Sequence, residues 1–171
     1  MLQISLHLNI FKSILAKGGE IVELDNSKSV RIKIMDFLAR REHTTKEIFI
    51  KLENRVESVD ILSAEIKKLE EEGLIDHQRF AEQYIHSRSA KGYGPLRIKQ
   101  ELKQRGVNEN IAQPLLDNID WTSFAIEVLK KKVNHEFPKD TKAVLKLKKF
   151  LNYRGFDFSQ IDQAFSSYKK T

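Results

Sequence analysis

The feature that most restricts how this chain can fold is a recurrence of leucine, arginine and glycine at a fixed distance. Setting IKLENRV (50–56), QELKQRGV (100–107) and KFLNYRGF (149–156) beneath one another aligns Leu52 with Leu102 and Leu151, and Arg55 with Arg105 and Arg154. The separations are 50 and 49 residues. The second and third copies share Arg-Gly followed by Val107 or Phe156, whereas the first has Val56 where the glycine is expected. A unit of this size is small for independent stability, so stacked neighbours must share buried surface. The pattern predicts an all-α chain: an elongated, curved array of three tandem three-helix repeats with helix-turn-helix-like connections. Its parts are an N-terminal extension, 1–26, and repeats over 27–75, 76–119 and 120–171.

Helical spacing fills each copy. Val30, Ile34, Phe37 and Leu38 open the first. Thr44 and Glu47 then have capping-box spacing, with Ile48, Phe49 and Leu52 behind them. Ser58 caps a helix carrying Leu62, Ile66 and Leu69, and Gly73 ends it. In the second copy Asp76 caps a helix burying Phe80, Ala81, Tyr84 and Ile85. Pro95 suits a helix start because it has no amide hydrogen to lose, Gly106 closes that helix, and Asn108 opens one with Ile111, Leu115 and Ile119. In the third, Asp120 or Thr122 precedes Phe124, Val128 and Leu129. Val144, Leu147 and Leu151 form the next stripe, ended by Gly155, and Asp157 or Ser159 caps the last helix through Ile161 and Phe165. Residues 4–15 read as a weak helix and 20–24 as a short strand, with no partner in view.

Asp76, Gly94, Pro95, Arg105, Gly106, Arg154 and Gly155 are therefore read as structural. The arginines precede a turn in every copy, where they bond helix carbonyls.

Charge is unevenly placed. The net charge of +6 divides into −1 over 1–26, zero over 27–75, +2 over 76–119 and +5 over 120–171. Such a gradient favours an anionic partner on the C-terminal side. The candidate contact residues are Arg88, Lys91, Tyr93, Arg97, Lys99 and Lys103 in the middle copy, then Lys130, Lys131 and Lys132. A stripe of Lys142, Lys146 and Lys149, opposite Val144, Leu147 and Leu151, completes them. Lysine and arginine aimed at phosphates give salt-sensitive affinity without sequence preference.

No catalytic set emerges. The chain has no cysteine, which excludes disulfides, thiolate metal sites and a cysteine nucleophile, and fits a reducing cytoplasm. The five histidines lie in no metal-binding spacing, and Glu70, Glu71 and Glu72 point around their helix rather than at one substrate. Asp76-His77 reads as a cap and first-turn residue, not a metal pair. Gly92-Tyr93-Gly94 lacks the phosphate-loop pattern and a preceding strand, so it reads as a tight inter-helix loop with Tyr93 as its plug. No apolar run reaches membrane-spanning length. The N-terminus lacks the basic start of a signal peptide. The expectation is a cytoplasmic monomer with no cofactor, no metal and no membrane contact.

The stretch SRSAKGYGPLRIKQELKQRGV, preceded by GLIDHQRFAEQYI and followed by LKKFLNYRGFDFSQI, resembles RecX, the bacterial regulator of the RecA recombinase. The resemblance covers about 30–165, with KGYGP its most specific motif. His77 stands where the family commonly has a second aspartate, and 1–26 falls outside the match. The resemblance implies a non-enzymatic regulator that binds the RecA–DNA filament and mainly inhibits ATP hydrolysis, strand exchange and filament extension. That places it in recombination, DNA repair and the SOS response, with weak, non-specific contact to single- or double-stranded DNA. The alternative is a helix-turn-helix module acting directly on DNA, against which the second and third helices lack a cluster of Asn, Gln and Arg on one exposed face.

Overall fold

Every capping signal in the described residues sits at the start of a helix, and these starts divide the chain into three groups of three. The structure is a computed structural model that describes residues 24–133, 138 and 140–168. The first unit holds α1 (Ser27–Leu38), α2 (Thr45–Leu52) and α3 (Val59–Glu71). The second holds α4 (His77–Ala90), α5 (Pro95–Gln104) and α6 (Glu109–Asp117). The third holds α7 (Trp121–Val133), α8 (Thr141–Tyr153) and α9 (Phe158–Tyr168). In each unit the first helix packs on the third. The expected helix of 4–15 lies outside the described residues, as does the expected strand of 20–24 apart from its last residue. Leu24 forms an isolated parallel bridge with Val56.

The helix starts obey local chemistry. The Asp76 carboxylate accepts from the amides of Gln78 (2.7 Å) and Arg79 (3.0 Å), satisfying two donors that the first turn leaves without partners. Asp120, not Thr122, caps α7 by accepting from Ser123 N (3.2 Å). Asp157, not Ser159, caps α9, and Gln160 reaches back to its amide (3.0 Å) to complete a box. At α2 only half of the expected box forms. Thr44 accepts from Glu47 N (3.1 Å), but the Glu47 side chain turns to Arg41 and Arg105 instead. Two strong cations outweigh one backbone amide as partners for a carboxylate.

The three repeat leucines, Leu52, Leu102 and Leu151, are all fully buried. Each contributes about 1.5–3 kcal/mol through the area it removes from water. One stripe differs from expectation: α6 buries Ala112 and Leu116, while Ile111, Leu115 and Ile119 only flank the core. Val144 and Leu147 are likewise half-buried beside Leu151.

The units stand in line, each touching the next through a turn. The Arg105 carbonyl accepts from Thr44 Oγ1 (2.7 Å), and the Arg154 carbonyl accepts from Gly94 N (2.8 Å). Thr44 and Gly94 are 50 residues apart, so the same joint is built twice. The two joints differ in what surrounds them. Units 2 and 3 share a single apolar cluster from Phe80 to Phe165. Unit 1 keeps its own, from Leu24 to Ile75. Polar pairs span the first joint: Arg105 with Glu47, Arg79 with Glu42 (2.9 Å) and Thr45 with His77 (3.2 Å).

Candidate partner-binding surface

The loop between α4 and α5 has no amides to spare for a phosphate. Gly92 N donates to Ser89 O (2.8 Å) and Tyr93 N to Arg88 O (3.1 Å), which closes the end of α4. Gly94 N donates to Arg154 O and Leu96 N to Gly155 O (3.0 Å), so the start of α5 is held by the turn of unit 3. The approach is close enough to demand glycine. A Cβ on Gly94 would lie 2.5 Å from the carbonyl carbon and oxygen of Gly155. Gly155 itself has φ +94°, where glycine alone is comfortable, and a Cβ there would lie 2.5 Å from Arg97 N.

Behind this loop, cations expected on the surface are drawn inward. Glu101 accepts from Tyr84 Oη (2.9 Å), Arg88 Nε (2.7 Å) and Arg97 Nε (3.1 Å). The Tyr93 ring lies under Arg88 (Cζ 3.9 Å from the ring centre), Arg97 (4.4 Å) and Arg154 (5.3 Å). The tyrosine is thus a plug held by three guanidinium groups and fixes the second joint. Arg154 Nη1 donates to the carbonyls of Lys91 (2.7 Å) and Gly92 (3.2 Å), a helix-end role. Arg105 differs from the expected carbonyl bond. It pairs with Glu47 and lies over the Tyr84 ring at 4.8 Å. Arg55 is exposed in unit 1.

The lysines divide by partner. Lys99 donates to Glu109 (2.6 Å) and Gln113 (2.7 Å). Lys132 lies over Phe150, 5.2 Å from the ring centre. The side chains of Lys91, Lys103, Lys130, Lys131, Lys142, Lys146 and Lys149 are exposed and make no hydrogen bond or ion pair among the described residues. Lys130–132 also end α7, where positive charge complements the helix dipole. Lys148, which the stripe omits, pairs with Asp162 (2.7 Å).

Where units 2 and 3 meet, an open groove of about 510 Å³ brings several of these groups together. Lys91, Lys131, Lys132 and Arg154 line it beside Phe124, Val128 and Phe150, with Glu127 the acid among them. Sequence reading named the cations but not the aromatic floor, because Phe124 and Phe150 carry the helical spacing of ordinary core residues. It also passed over Glu101. The signal there was an acid four residues from both Arg97 and Arg105, alone among six bases.

Burial pushes the Glu101 carboxyl upward, but hydrogen bonds from Arg88, Arg97 and Tyr84 outweigh it and hold the group below the usual glutamate range. Glu47 follows the same balance, with burial opposed by Arg41 and then Arg105. Both folded-state values lie below the unfolded value of about 4.3. As pH falls past that value the unfolded chain takes up protons first. The stabilisation is therefore complete above it and lost as pH drops further. The thermal midpoint should fall between pH 5 and pH 3 (chosen to bracket roughly that value), with a shallower fall in Glu101→Gln. Equal slopes for the two proteins would show that Glu101 does not carry this dependence.

Among the described residues no group of histidines and carboxylates could hold a metal ion, and no helix is long and apolar enough to cross a membrane.

A family model described as RecX, second three-helix domain, matches residues 76–116. "Regulatory protein RecX" of Pseudomonas putida is 38% identical over 145 residues, covering 84% of this chain and 93% of that relative. Its counterpart from Halorhodospira halophila is 38% identical over 140 residues, covering 81% and 87%. The crystal structure of RecX from Lactobacillus salivarius superposes with a TM-score of 0.73 at 24% identity, covering 85% of this chain and 97% of that one. A second RecX crystal structure gives 0.71 at 21% identity, covering 82% and 71%. At that identity the two structures speak for the fold alone.

Proposed function

This chain belongs to the RecX family, and we propose that it regulates recombination by binding the RecA nucleoprotein filament. It acts by binding rather than by catalysis, lowering ATP hydrolysis, strand exchange and filament extension. Units standing in line can lie along a helical filament and touch more than one protomer. The observation that carries the reading is the row of Lys142, Lys146 and Lys149 on α8, all exposed and with no side-chain partner among the described residues. Lysines drawn into internal pairs would have little left for an anionic filament, and these are not drawn in. Lys103 and Lys130 add to the same supply, while Arg88, Tyr93 and Arg97 serve by holding the second joint.

The test is charge reversal. Changing Lys142, Lys146 and Lys149 to glutamate should weaken filament binding by about tenfold or more, most strongly at low salt. Circular dichroism should stay unchanged, because no described contact is lost. Inhibition of RecA ATP hydrolysis at saturating protein reads the function directly. Unchanged inhibition by a normally folded variant would make the stripe a solvated face only. No effect of the wild-type chain on hydrolysis would overturn the reading itself.

A further inference from the structure

We propose that the groove between units 2 and 3 docks an acidic peptide segment of a protein partner, one that carries an apolar side chain among its carboxylates. The rim supplies the charge: the Lys91 and Lys131 side chains are exposed and have no hydrogen-bond or ion-pair partner among the described residues. Arg154 is held in place through Nη1 by two backbone carbonyls. A guanidinium fixed this way has lost its conformational freedom before any partner arrives, and its other N–H groups match a carboxylate fork.

The floor supplies the second half of the chemistry. Phe124, Val128 and Phe150 give it an apolar base, and about 510 Å³ is enough for a few side chains rather than one small anion. A phosphodiester backbone would answer the cations and leave this floor unused. Stacked bases fit it poorly, because the Phe150 ring already carries Lys132 Nζ at 5.2 Å and Arg154 Cζ at 4.8 Å from its centre. Carboxylates flanking a buried aromatic or aliphatic anchor satisfy rim and floor together. The groove does not include the α8 lysines, so it stands apart from the filament-binding proposal.

The experiment uses the full chain and a short labelled peptide of aspartates and glutamates around one phenylalanine, followed by fluorescence anisotropy. One-to-one binding is expected. Lys131→Glu with Lys132→Glu should weaken it about tenfold or more, as should replacing the peptide's phenylalanine by serine. Reversing Lys142, Lys146 and Lys149 should weaken it less than the Lys131 and Lys132 reversal does, since none of the three lines the groove. Circular dichroism checks that both variants fold. Equal binding of the phenylalanine-free peptide would reduce the groove to a general cation patch and overturn the proposal. So would absence of binding. Displacement by oligothymidylate at lower concentration, itself weakened by the Lys131 and Lys132 reversal, would make nucleic acid the occupant and overturn it as well.

Discussion

Gly155→Ala should cost roughly 2–5 kcal/mol and loosen unit 3 from unit 2. Two effects combine. At φ +94° an alanine is strained, by about 1–2 kcal/mol. Its methyl group also has nowhere to go, because Arg97 N stands 2.5 Å from the Cβ position and belongs to helix backbone, not to a side chain that can swing aside. Overpacking of this kind adds about 1–3 kcal/mol. The chain's single tryptophan is well placed to read the result. Trp121 is buried at the start of unit 3 and donates its indole N–H to Leu116 O in unit 2 (2.8 Å). Its fluorescence should shift at lower denaturant in the variant. Gly73→Ala is the control, since that glycine shares the left-handed conformation (φ +70°) but a Cβ there meets nothing within 4 Å. Equal losses in the two variants would show that strain alone matters and that the close approach does not.

Glu101→Ala should cost about 2–3 kcal/mol, although it removes only one carboxylate. Arg88, Arg97 and Tyr84 all point their donors at that group. The side chains of Arg88 and Glu101 are each 19% exposed, so water replaces the lost bonds incompletely. Removing one partner of a sheltered charge network strands the others, which costs more than the network contributes in net terms. Glu101→Gln should recover part of the loss by keeping an acceptor. Lys148→Ala sets the scale for a surface pair, at about 0.5 kcal/mol or less, because Lys148 and Asp162 are 41% and 64% exposed. A Glu101→Ala loss no larger than that of Lys148→Ala would mean that the cluster contributes no more than a solvated pair.

These two residues also mark the limit of what the sequence disclosed. The helices and their caps were legible because they depend on neighbours. Asp76 finds its amides two and three residues away, and Pro95 needs only its own ring. The repeat was legible because leucine and arginine recur 50 and 49 residues apart. The joints were not, because they depend on chain segments some sixty residues apart meeting at a turn, as Thr44 meets Arg105 and as Gly94 and Gly155 meet backbone to backbone. Periodicity carries no signal for such an approach. The division of the cations was hidden for the same reason. Arg88 and Lys91 look alike in a charge count, but one faces Glu101 across a helix pair and the other faces the groove. Tyr93 was readable as a plug, though not the three guanidinium groups that hold it.

The contrast between the two joints has a mechanical consequence. Units 2 and 3 bend together as one stiff body, because parting them would expose a common apolar core. Unit 1 is attached across a polar contact, where turning costs a few ion pairs and hydrogen bonds, each replaceable in part by water. A load on the chain is therefore taken up at Thr44 and Arg105 first. That gives a two-unit lever on one compliant pivot, which salt and protons soften from the outside.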